Sequence, residues 1–276
     1  MNSIKTRLNK MVYFQRGIEA LKGLKYSIGA KYYCPVCDRG INHFLPLPRF
    51  FSLNAKKYGF CYKLDQTETL NYQAYSCPVC GASDRDRLFA LYLQTYFSRM
   101  KIDEQISILD IAPSAPLSRY IRKCIAISTI NVSYRTADME MASVDDKIDV
   151  SDMRLYANNH FDFFICSHVL EHVQDDHKAL SELYRILKPG GFGILMVPII
   201  LGLEEIAEDP FETDESERWR RFGQDDHVRL YSKNGFIDRA KKVGFLVHQY
   251  DKMYFGEKLF KQSGITNQSI LYIVEK

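Results

Sequence analysis

The sequence predicts an α/β domain with a mainly parallel sheet, preceded by a small metal-binding module. Two observations support this prediction. Segments with strand and helix patterns alternate from Ile106 to Val274, and this alternation is typical of parallel strands joined by helices. Upstream, the pattern Cys-Pro-Val-Cys occurs twice, at 34–37 and at 77–80. A length of 276 residues suits one large or two modest domains.

The composition is that of an ordinary globular protein. Hydrophobic residues make up 46% of the chain and charged residues 26%, which excludes disordered and fibrous classes. The longest uncharged apolar stretch, 191–203, is too short to cross a bilayer and contains Pro198. No continuous apolar region follows the first charged residues, as a secretory signal would require. We therefore expect a soluble, cytoplasmic protein without membrane insertion.

Four segments differ in pattern. Residues 1–30 are expected to form an N-terminal amphipathic helix, and residues 83–100 a linking helix. Between them, residues 31–82 lack helical periodicity and are predicted to form short strands and turns around a metal, as a zinc ribbon. Residues 101–276 form the α/β domain. Within it, residues 199–224 interrupt the alternation, and a long insertion of this kind is usually a lid or a substrate loop.

The four paired cysteines predict one structural zinc ion. Two cysteines separated by two residues can direct both sulfurs to one point, and two such pairs complete a tetrahedral site. The total of seven cysteines is odd, which argues against a disulfide framework. Four sulfurs leave no open position for catalysis. The alternative is two reduced thiol pairs without a metal. The predicted ligands are Cys34, Cys37, Cys77 and Cys80.

Charge is distributed unevenly along the chain. Residues 1–100 contain 15 Lys and Arg against 6 Asp and Glu, a net charge of +9, whereas residues 101–276 contain 22 against 28, a net charge of −6. Basic side chains interleaved with aromatic ones are what RNA binding requires. Alternatively, the aromatic residues form a small core under a solvated basic face. The basic residues near the cysteines are Arg39, Arg49, Lys56, Lys57, Lys63, Arg85 and Arg87.

Within the α/β domain, each predicted element has a local signal. Short apolar runs predict strands, and apolar residues at helical spacing predict helices, one of which would begin after Ser114 as N-cap. The Lys-Pro-Gly-Gly run at 188–191 would end another helix. The predicted strands are 106–111, 130–137, 161–166, 192–197, 244–250 and 269–274, and the predicted helices are 115–124, 175–187 and 232–243.

Polar residues follow the predicted strands at the edge where open α/β sheets bind ligands. Residues 108–116 leave the first strand and enter a helix. Asp138 follows the second strand, where a carboxylate can accept both hydroxyl groups of a ribose. Two further runs come later in the chain, Ser-His-Val-Leu-Glu-His-Val at 167–173 and Leu-Lys-Pro-Gly-Gly at 187–191.

With these segments in this order, residues 105–275 resemble the class I S-adenosylmethionine-dependent methyltransferases. The resemblance implies a Rossmann-like sheet of seven strands whose last strand is antiparallel, with S-adenosylmethionine as cofactor. By the same resemblance, residues 110–115 pass under the methionine and ribose, Asp138 binds the ribose, Asp149 faces the adenine, and His168 lines the methionine end. The implied cofactor-binding residues are Asp110, Ala112, Pro113, Ser114, Asp138, Met139, Asp149, Val150, Ser167 and His168.

One departure from the family pattern concerns the first motif, which is normally rich in glycine. Here its glycine positions hold Ala112, Ser114 and Pro116. Glycine lets a backbone approach a ligand closely, and alanine and serine are the least intrusive substitutes. Because the later motifs are intact, we expect the cofactor site to be retained.

The predicted activity is methyl transfer to a small-molecule or glycan-type acceptor. One alternative is a ribosomal or transfer RNA methyltransferase that uses the basic ribbon to bind RNA, and another is a non-catalytic zinc-ribbon protein with a degenerate fold. A general base is needed only if the acceptor is protonated, and His168, His172 and His227 are the candidates. The cluster Asp226, His227, Arg229 and Tyr231 is predicted to bind the acceptor; its alternative is a capping turn with a salt bridge.

Overall fold

The computed structural model describes residues 18, 21–100, 105–128 and 131–276. Residues 21–27 are helical. The earlier part of the predicted N-terminal helix, residues 1–17, lies outside the described residues. None of the helices in the described ranges has the length and apolar character that a bilayer crossing requires.

The cysteine pairs lie in a small N-terminal module. Strands β1 (Tyr32–Cys34) and β2 (Arg39–Ile41) form an antiparallel hairpin around the first pair. Helix α1 (Arg49–Tyr58) follows, and the second pair lies in a turn before helix α2 (Asp84–Arg99). The segment between the pairs therefore contains a regular helix as well as turns.

Helix α1 corrects the prediction that residues 31–82 lack helical structure. Its inner face consists of Phe51, Ala55 and Tyr58, which are only half-buried. Phe50 and Leu53 are 57% and 64% exposed, and these exposed apolar residues conceal the helical period in the sequence. The helix ends at Gly59, whose φ of +75° is a left-handed conformation that glycine adopts freely.

Seven strands form the central sheet, and two short strands pair outside it. The sheet strands are β3 (Gln105–Ile111), β4 (Asn131–Asp138), β5 (Asp146–Lys147), β6 (Phe161–Ser167), β7 (Leu187–Met196), β10 (Leu246–Tyr250) and β11 (Leu271–Glu275). The outer pair is β8 (Ala207–Glu208) and β9 (Arg229–Leu230). The helices are α3 (Ala115–Ile127), α4 (Asp176–Ile186), α5 (Glu215–Phe222), α6 (Lys233–Val243), α7 (Lys252–Phe255) and α8 (Glu257–Gln262).

The sheet has the order β10-β11-β7-β6-β3-β4-β5. Strand β11 is antiparallel to both of its neighbours, and the other neighbouring pairs are parallel. The prediction of a seven-stranded sheet with an antiparallel last strand is confirmed. Helix α4 packs its buried face against the sheet through four residues at helical spacing, which are Ala179, Leu180, Leu183 and Ile186.

The segment 199–224, predicted as a lid or substrate loop, is ordered and packs on the N-terminal module. Trp219 in α5 is 4% exposed. Its ring lies between two aromatic rings of α1, with centroid distances of 5.8 Å to Phe50 and 5.9 Å to Tyr58. The insertion and the segment between the cysteine pairs therefore form one continuous structure.

Arg87 of helix α2 joins the N-terminal module to the α/β domain. Its guanidinium group is buried and lies 3.8 Å from the ring centroid of Phe44. It donates hydrogen bonds to five backbone carbonyls, which are those of Ala74, Tyr75, Ala82, Ser263 and Gly264. Arg87, named above among the basic residues near the cysteines, and Phe44 are thus interior residues.

Candidate functional site

The four paired cysteines converge. The Sγ atoms of Cys34 and Cys80 are 3.8 Å apart, those of Cys37 and Cys77 are 3.9 Å apart, and all four lie within 4.8 Å of one another. A tetrahedral zinc ion with Zn–S bonds of about 2.3 Å would separate its sulfurs by about 3.8 Å. The donor set and its spacing therefore fit one zinc ion.

The loop after β3 keeps the backbone of a glycine-rich loop without its glycines. Ala112 has a φ of +51°, a left-handed conformation that costs a residue with a side chain about 1–2 kcal/mol. Its N–H donates a hydrogen bond to the carbonyl of Ala137 at 2.9 Å. Helix α3 then begins with Ser114 as N-cap, whose Oγ accepts a hydrogen bond from the N–H of Leu117, as predicted. The Ala112 side chain therefore raises the energy of this loop relative to glycine at the same position.

A cleft of about 790 Å³, here called the large cleft, lies at the carboxyl ends of β3, β4 and β6. Asp138 Oδ1 accepts hydrogen bonds from the N–H groups of Glu140 and Met141, at 2.7 and 2.6 Å. Asp149 Oδ1 similarly accepts hydrogen bonds from the N–H and Oγ of Ser151, so both carboxylates are held by their own loops. The predicted cofactor residues that line the large cleft are Ala112, Asp138, Met139, Asp149, Val150 and His168.

A second cavity of about 280 Å³, the loop pocket, lies beside the 111–117 loop. Four predicted cofactor residues line it, namely Asp110, Ala112, Ser114 and Ser167. Pro113 lines none of the cavities described here. Helix α2 and the segment before it contribute residues that the sequence did not assign to the cofactor site, which are Tyr75, Ser83, Arg85 and Asp86.

Hydrogen bonds connect these additional residues to the 111–117 loop. Ser114 Oγ donates a 2.6 Å hydrogen bond to Asp86 Oδ1, while Asp86 Oδ2 accepts one from the N–H of Ser83. The sequence does contain a signal, because Ser83 and Asp86 form a capping box directly after the second cysteine pair. That signal predicts the start of a helix, but not its position against the end of β3.

Asp110 lies at the base of the loop pocket and is 1% exposed. Its Oδ2 accepts hydrogen bonds from the hydroxyls of Tyr134 and Ser118, at 2.5 and 3.3 Å. Burial outweighs these bonds and raises the pKa of Asp110 to about 7. The carboxyl group of Asp110 thus holds the end of β3 in place through its hydrogen bonds to Tyr134 and Ser118.

A third cavity of about 270 Å³, the aromatic pocket, lies between helix α1, the insertion and residues 168–172. Its walls are largely apolar and include Phe51, Phe60, Leu64, Ile200, Phe222 and Leu230. Its ionisable residues are Arg85, His168, Glu171, His172 and His227. His168 and His172 line both the aromatic pocket and the large cleft, so these two cavities adjoin there.

The three candidate histidines surround Glu171. Nδ1 of His168 lies 3.1 Å from Oε1 of Glu171, and Nε2 of His172 lies 4.0 Å from the same oxygen. The rings of His172 and His227 meet edge to face with centroids 4.7 Å apart. Burial and the nearby Arg85 guanidinium lower the pKa of His168 to about 4. The sequence pointed to the histidines but not to Glu171, whose side chain is fully buried.

The predicted acceptor cluster at 226–231 is only partly in place. His227 lines the aromatic pocket and Asp226 lines the large cleft. Arg229 is 1% exposed and donates hydrogen bonds to backbone carbonyls of residues 170–174, and the Tyr231 hydroxyl donates one to Asp176. Because both side chains form hydrogen bonds inside the protein, Arg229 and Tyr231 have a structural role and are not part of the predicted acceptor site.

Comparison with known proteins identifies the fold around these cavities. Residues 109–195 match the family model described as a methyltransferase domain. A search of curated proteins gives no match. The structure is similar to that of a Haloferax volcanii methyltransferase solved with the Trm112 methyltransferase activator, at 15% identity and a TM-score of 0.41 over 69% of this chain and 93% of that one.

Two further solved structures are similar. The CMeT domain structure of the citrinin polyketide synthase has 14% identity and a TM-score of 0.47, over 73% of this chain and 54% of that chain. Phosphoethanolamine N-methyltransferase 2 of Haemonchus contortus, solved with S-adenosyl-L-methionine, has 20% identity and a TM-score of 0.38, over 62% of this chain and 40% of that chain.

The family match includes the loop at 110–116, all of β6 and the 167–173 run, and the sheet around it has the strand order described above. Residues 109–195 of this chain therefore match a methyltransferase domain, and they lie within a seven-stranded α/β sheet.

Proposed function

We propose that this enzyme methylates a small molecule with an apolar body, bound in the aromatic pocket. The observation that carries the proposal is the shared wall formed by His168 and His172, which line both this pocket and the large cleft. A methyl group leaving a cofactor in the large cleft would have the shortest route to an acceptor across this wall. Transfer of this kind depends on such proximity and alignment.

The large cleft and the loop pocket together suit the parts of S-adenosylmethionine. The large cleft, at about 790 Å³, has the size usual for a ligand site, the loop pocket is slightly smaller at about 280 Å³, and Ala112 lines both of them. Asp138 would hold the ribose hydroxyls, and Asp149 with Val150 would face the adenine. At the other end, Arg85 and Asp86 offer opposite charges that complement the carboxylate and ammonium groups of the methionine.

When bound, the cofactor supplies an electrophilic methyl group, whose bonding electrons remain on the cofactor sulfur after transfer. His168 is placed to take the acceptor's proton, because its Nε2 is buried and has no hydrogen-bond partner among the described residues. Glu171, 3.1 Å from Nδ1 on the other side of the ring, would orient this imidazole. His168 would thus act as the general base for a hydroxyl or amine acceptor.

Zinc at the four cysteines would have a structural role. The sulfurs fix both ends of the segment that contains α1, and α1 supplies Phe51 and Ala55 to the aromatic pocket. The second cysteine pair directly precedes Ser83, Arg85 and Asp86 of the loop pocket. A zinc ion would therefore stabilise residues on two sides of the active site without taking part in the reaction.

RNA is the second candidate acceptor. The observation in its favour is the exposed basic face of the N-terminal module, where Lys56 and Lys57 on α1 accompany Arg39, Arg49 and Lys63. The aromatic side chains of this region point to the first proposal, because Tyr58 stacks on Trp219 and Phe60 and Phe51 line the pocket. If RNA is the acceptor, the double variant Lys56→Glu/Lys57→Glu will abolish salt-sensitive RNA binding.

Calorimetry with S-adenosylmethionine and methylation of cell extract with labelled cofactor test the proposal. We expect one cofactor bound per chain, weakened at least about tenfold in D138A, and label in the small-molecule fraction. Label confined to the RNA fraction would support the second candidate. A folded enzyme that binds no cofactor would contradict the proposed cofactor site.

A further inference from the structure

Glu171 is a buried anionic side chain with few partners. It has 0% exposure; its Oε1 lies 3.1 Å from Nδ1 of His168, and its Oε2 has no hydrogen-bond partner within the described structure. A buried carboxylate that is only partly compensated is unfavourable unless a further cation compensates it. The side chains that surround Glu171 are therefore informative about what it binds.

Those neighbours are metal-binding groups. Glu171, His172 and His227 each place one ligand atom within 4.8 Å of the others. Nδ1 of His227 is buried and also lacks a hydrogen-bond partner in the described structure. The His227 side chain comes from the segment after the insertion, and Val228 fixes it there by donating its N–H to the carbonyl of Glu171 at 2.9 Å. Three potential ligands from two distant segments thus converge.

We propose that Glu171, His172 and His227 bind one divalent transition-metal ion at the polar end of the aromatic pocket. Two imidazoles and one carboxylate suit Fe²⁺, Co²⁺, Ni²⁺ or Zn²⁺ and leave coordination positions open. All three residues line the aromatic pocket, so those positions face its interior. An oxygen of a hydroxyl or carboxylate group is the ligand class that would fill them.

This site differs from the cysteine cluster in chemistry. Four thiolates form a closed, soft site, whereas the Glu171 site has mixed nitrogen and oxygen donors and open positions. Its role in holding the acceptor rests on the proposed function, since the aromatic pocket is assigned there to the acceptor. Metal binding itself is independent of that assignment and can be measured without turnover.

Co²⁺ is the probe for this site. Full-length protein loaded with one equivalent of zinc, which thiolates bind first, is titrated with Co²⁺ and followed by proton NMR. We expect one Co²⁺ per chain and two exchangeable, paramagnetically shifted imidazole N–H signals. H172Q and H227Q should each remove one signal, and E171Q should weaken Co²⁺ binding at least about tenfold, as loss of metal-site groups does. H248Q is the matched control, because His248 pairs with Glu275 at 2.9 Å on the distant edge of the sheet.

His172 is about one-third exposed, so H172Q is expected to fold even if the buried variants do not. Absence of Co²⁺ binding by the folded wild type, or binding that survives in H172Q with both shifted signals, would overturn the proposal. Cofactor binding is measured on the same samples by calorimetry. Loss of cofactor binding with intact Co²⁺ binding would count against the proposed function and leave the metal site standing.

Discussion

The ring of Tyr58 stacks on the indole of Trp219, with centroids 5.9 Å apart and planes inclined by 13°. Tyr58 belongs to the helix between the cysteine pairs, and Trp219 belongs to the insertion of the α/β domain. The lining of the aromatic pocket includes Phe51 of the same helix and Phe222 of the same insertion. The proposed acceptor site therefore depends on two segments that are distant in the sequence.

The variant W219A should separate acceptor binding from cofactor binding. Removal of a buried tryptophan side chain costs about 3–5 kcal/mol, here mainly in the packing of α5 on α1. We expect KM for the acceptor to rise at least about tenfold, while calorimetry gives an unchanged Kd for S-adenosylmethionine. W219F is the control and should largely restore KM. An unchanged KM in W219A would show that this contact does not shape the pocket.

The sequence predicts the sheet well, because buried strands and the residues at their carboxyl ends have local signals. Asp138 was located in this way, whereas Asp149 and His168 were implied by the family resemblance, and all three line the large cleft. The acceptor side could not be predicted, since it depends on contacts between distant segments. Glu171 gives no signal of its own until the fold places it beside His227.

Arg229 is a residue that the sequence wrongly assigned to the acceptor cluster. A basic residue beside His227 in a loop resembles a ligand-binding residue in the sequence. In the structure its guanidinium group satisfies carbonyls of residues 170–174, more than 50 residues earlier in the chain. Such a role depends on the tertiary position of those carbonyls, which no local pattern reports.

Replacing Ala112 by glycine should stabilise the protein, contrary to the usual effect of this change. Ala112 has a φ of +51°, where a side chain costs about 1–2 kcal/mol, and glycine removes that cost at the expense of about 0.5–1 kcal/mol in chain entropy. We expect A112G to raise the free energy of unfolding by about 0.5 kcal/mol in urea denaturation.

The matched control is A126G, because Ala126 is exposed in helix α3. That variant should lose stability, by less than the about 1 kcal/mol that glycine costs in a helix interior, because Ala126 lies in the last turn of α3. Equal losses in both variants would argue against a strained Ala112.

Arg87→Met should destabilise the whole chain. The substitution leaves five backbone carbonyls without their donor, and breaking a buried charged network of this kind costs about 3–5 kcal/mol. We expect Tm to fall in R87M by circular dichroism. Arg85→Met, two residues earlier, should keep Tm but weaken cofactor binding, since Arg85 lines the loop pocket. A lower Tm in R85M, together with an unchanged Tm and weaker cofactor binding in R87M, would contradict the roles assigned to these two arginines.

Loss of one paired cysteine should release zinc and disturb the active site indirectly. We expect C80S to contain less than one zinc per chain by elemental analysis and to bind S-adenosylmethionine more weakly, because Arg119 donates to the carbonyl of Cys80 and Asp86 follows closely. C61S is the control, since Cys61 is exposed and lies outside the cluster. Full zinc content in C80S would contradict a four-cysteine site.

Asp110 should make stability depend on pH in an unusual direction. Its folded-state pKa of about 7 lies above the ordinary 3.8, so between these values the folded state binds more protons than the unfolded state. Stability is therefore lost as pH rises through this window, by up to about 4 kcal/mol. D110N has no such titration, so its stability relative to wild type should increase from pH 4 to pH 7 and then level off. Urea denaturation across this range measures the difference.

Asp146 is the control, because its contribution to stability should change with pH in the opposite direction. Hydrogen bonds from Arg135 hold the pKa of Asp146 below its ordinary value, so its contribution is present above that value and is lost as pH falls. D146N should therefore be less stable than wild type at neutral pH, with the difference shrinking in acid. If the D110N difference were the same at pH 4 and pH 7, Asp110 would titrate alike in the folded and unfolded states, and burial could not have raised its pKa.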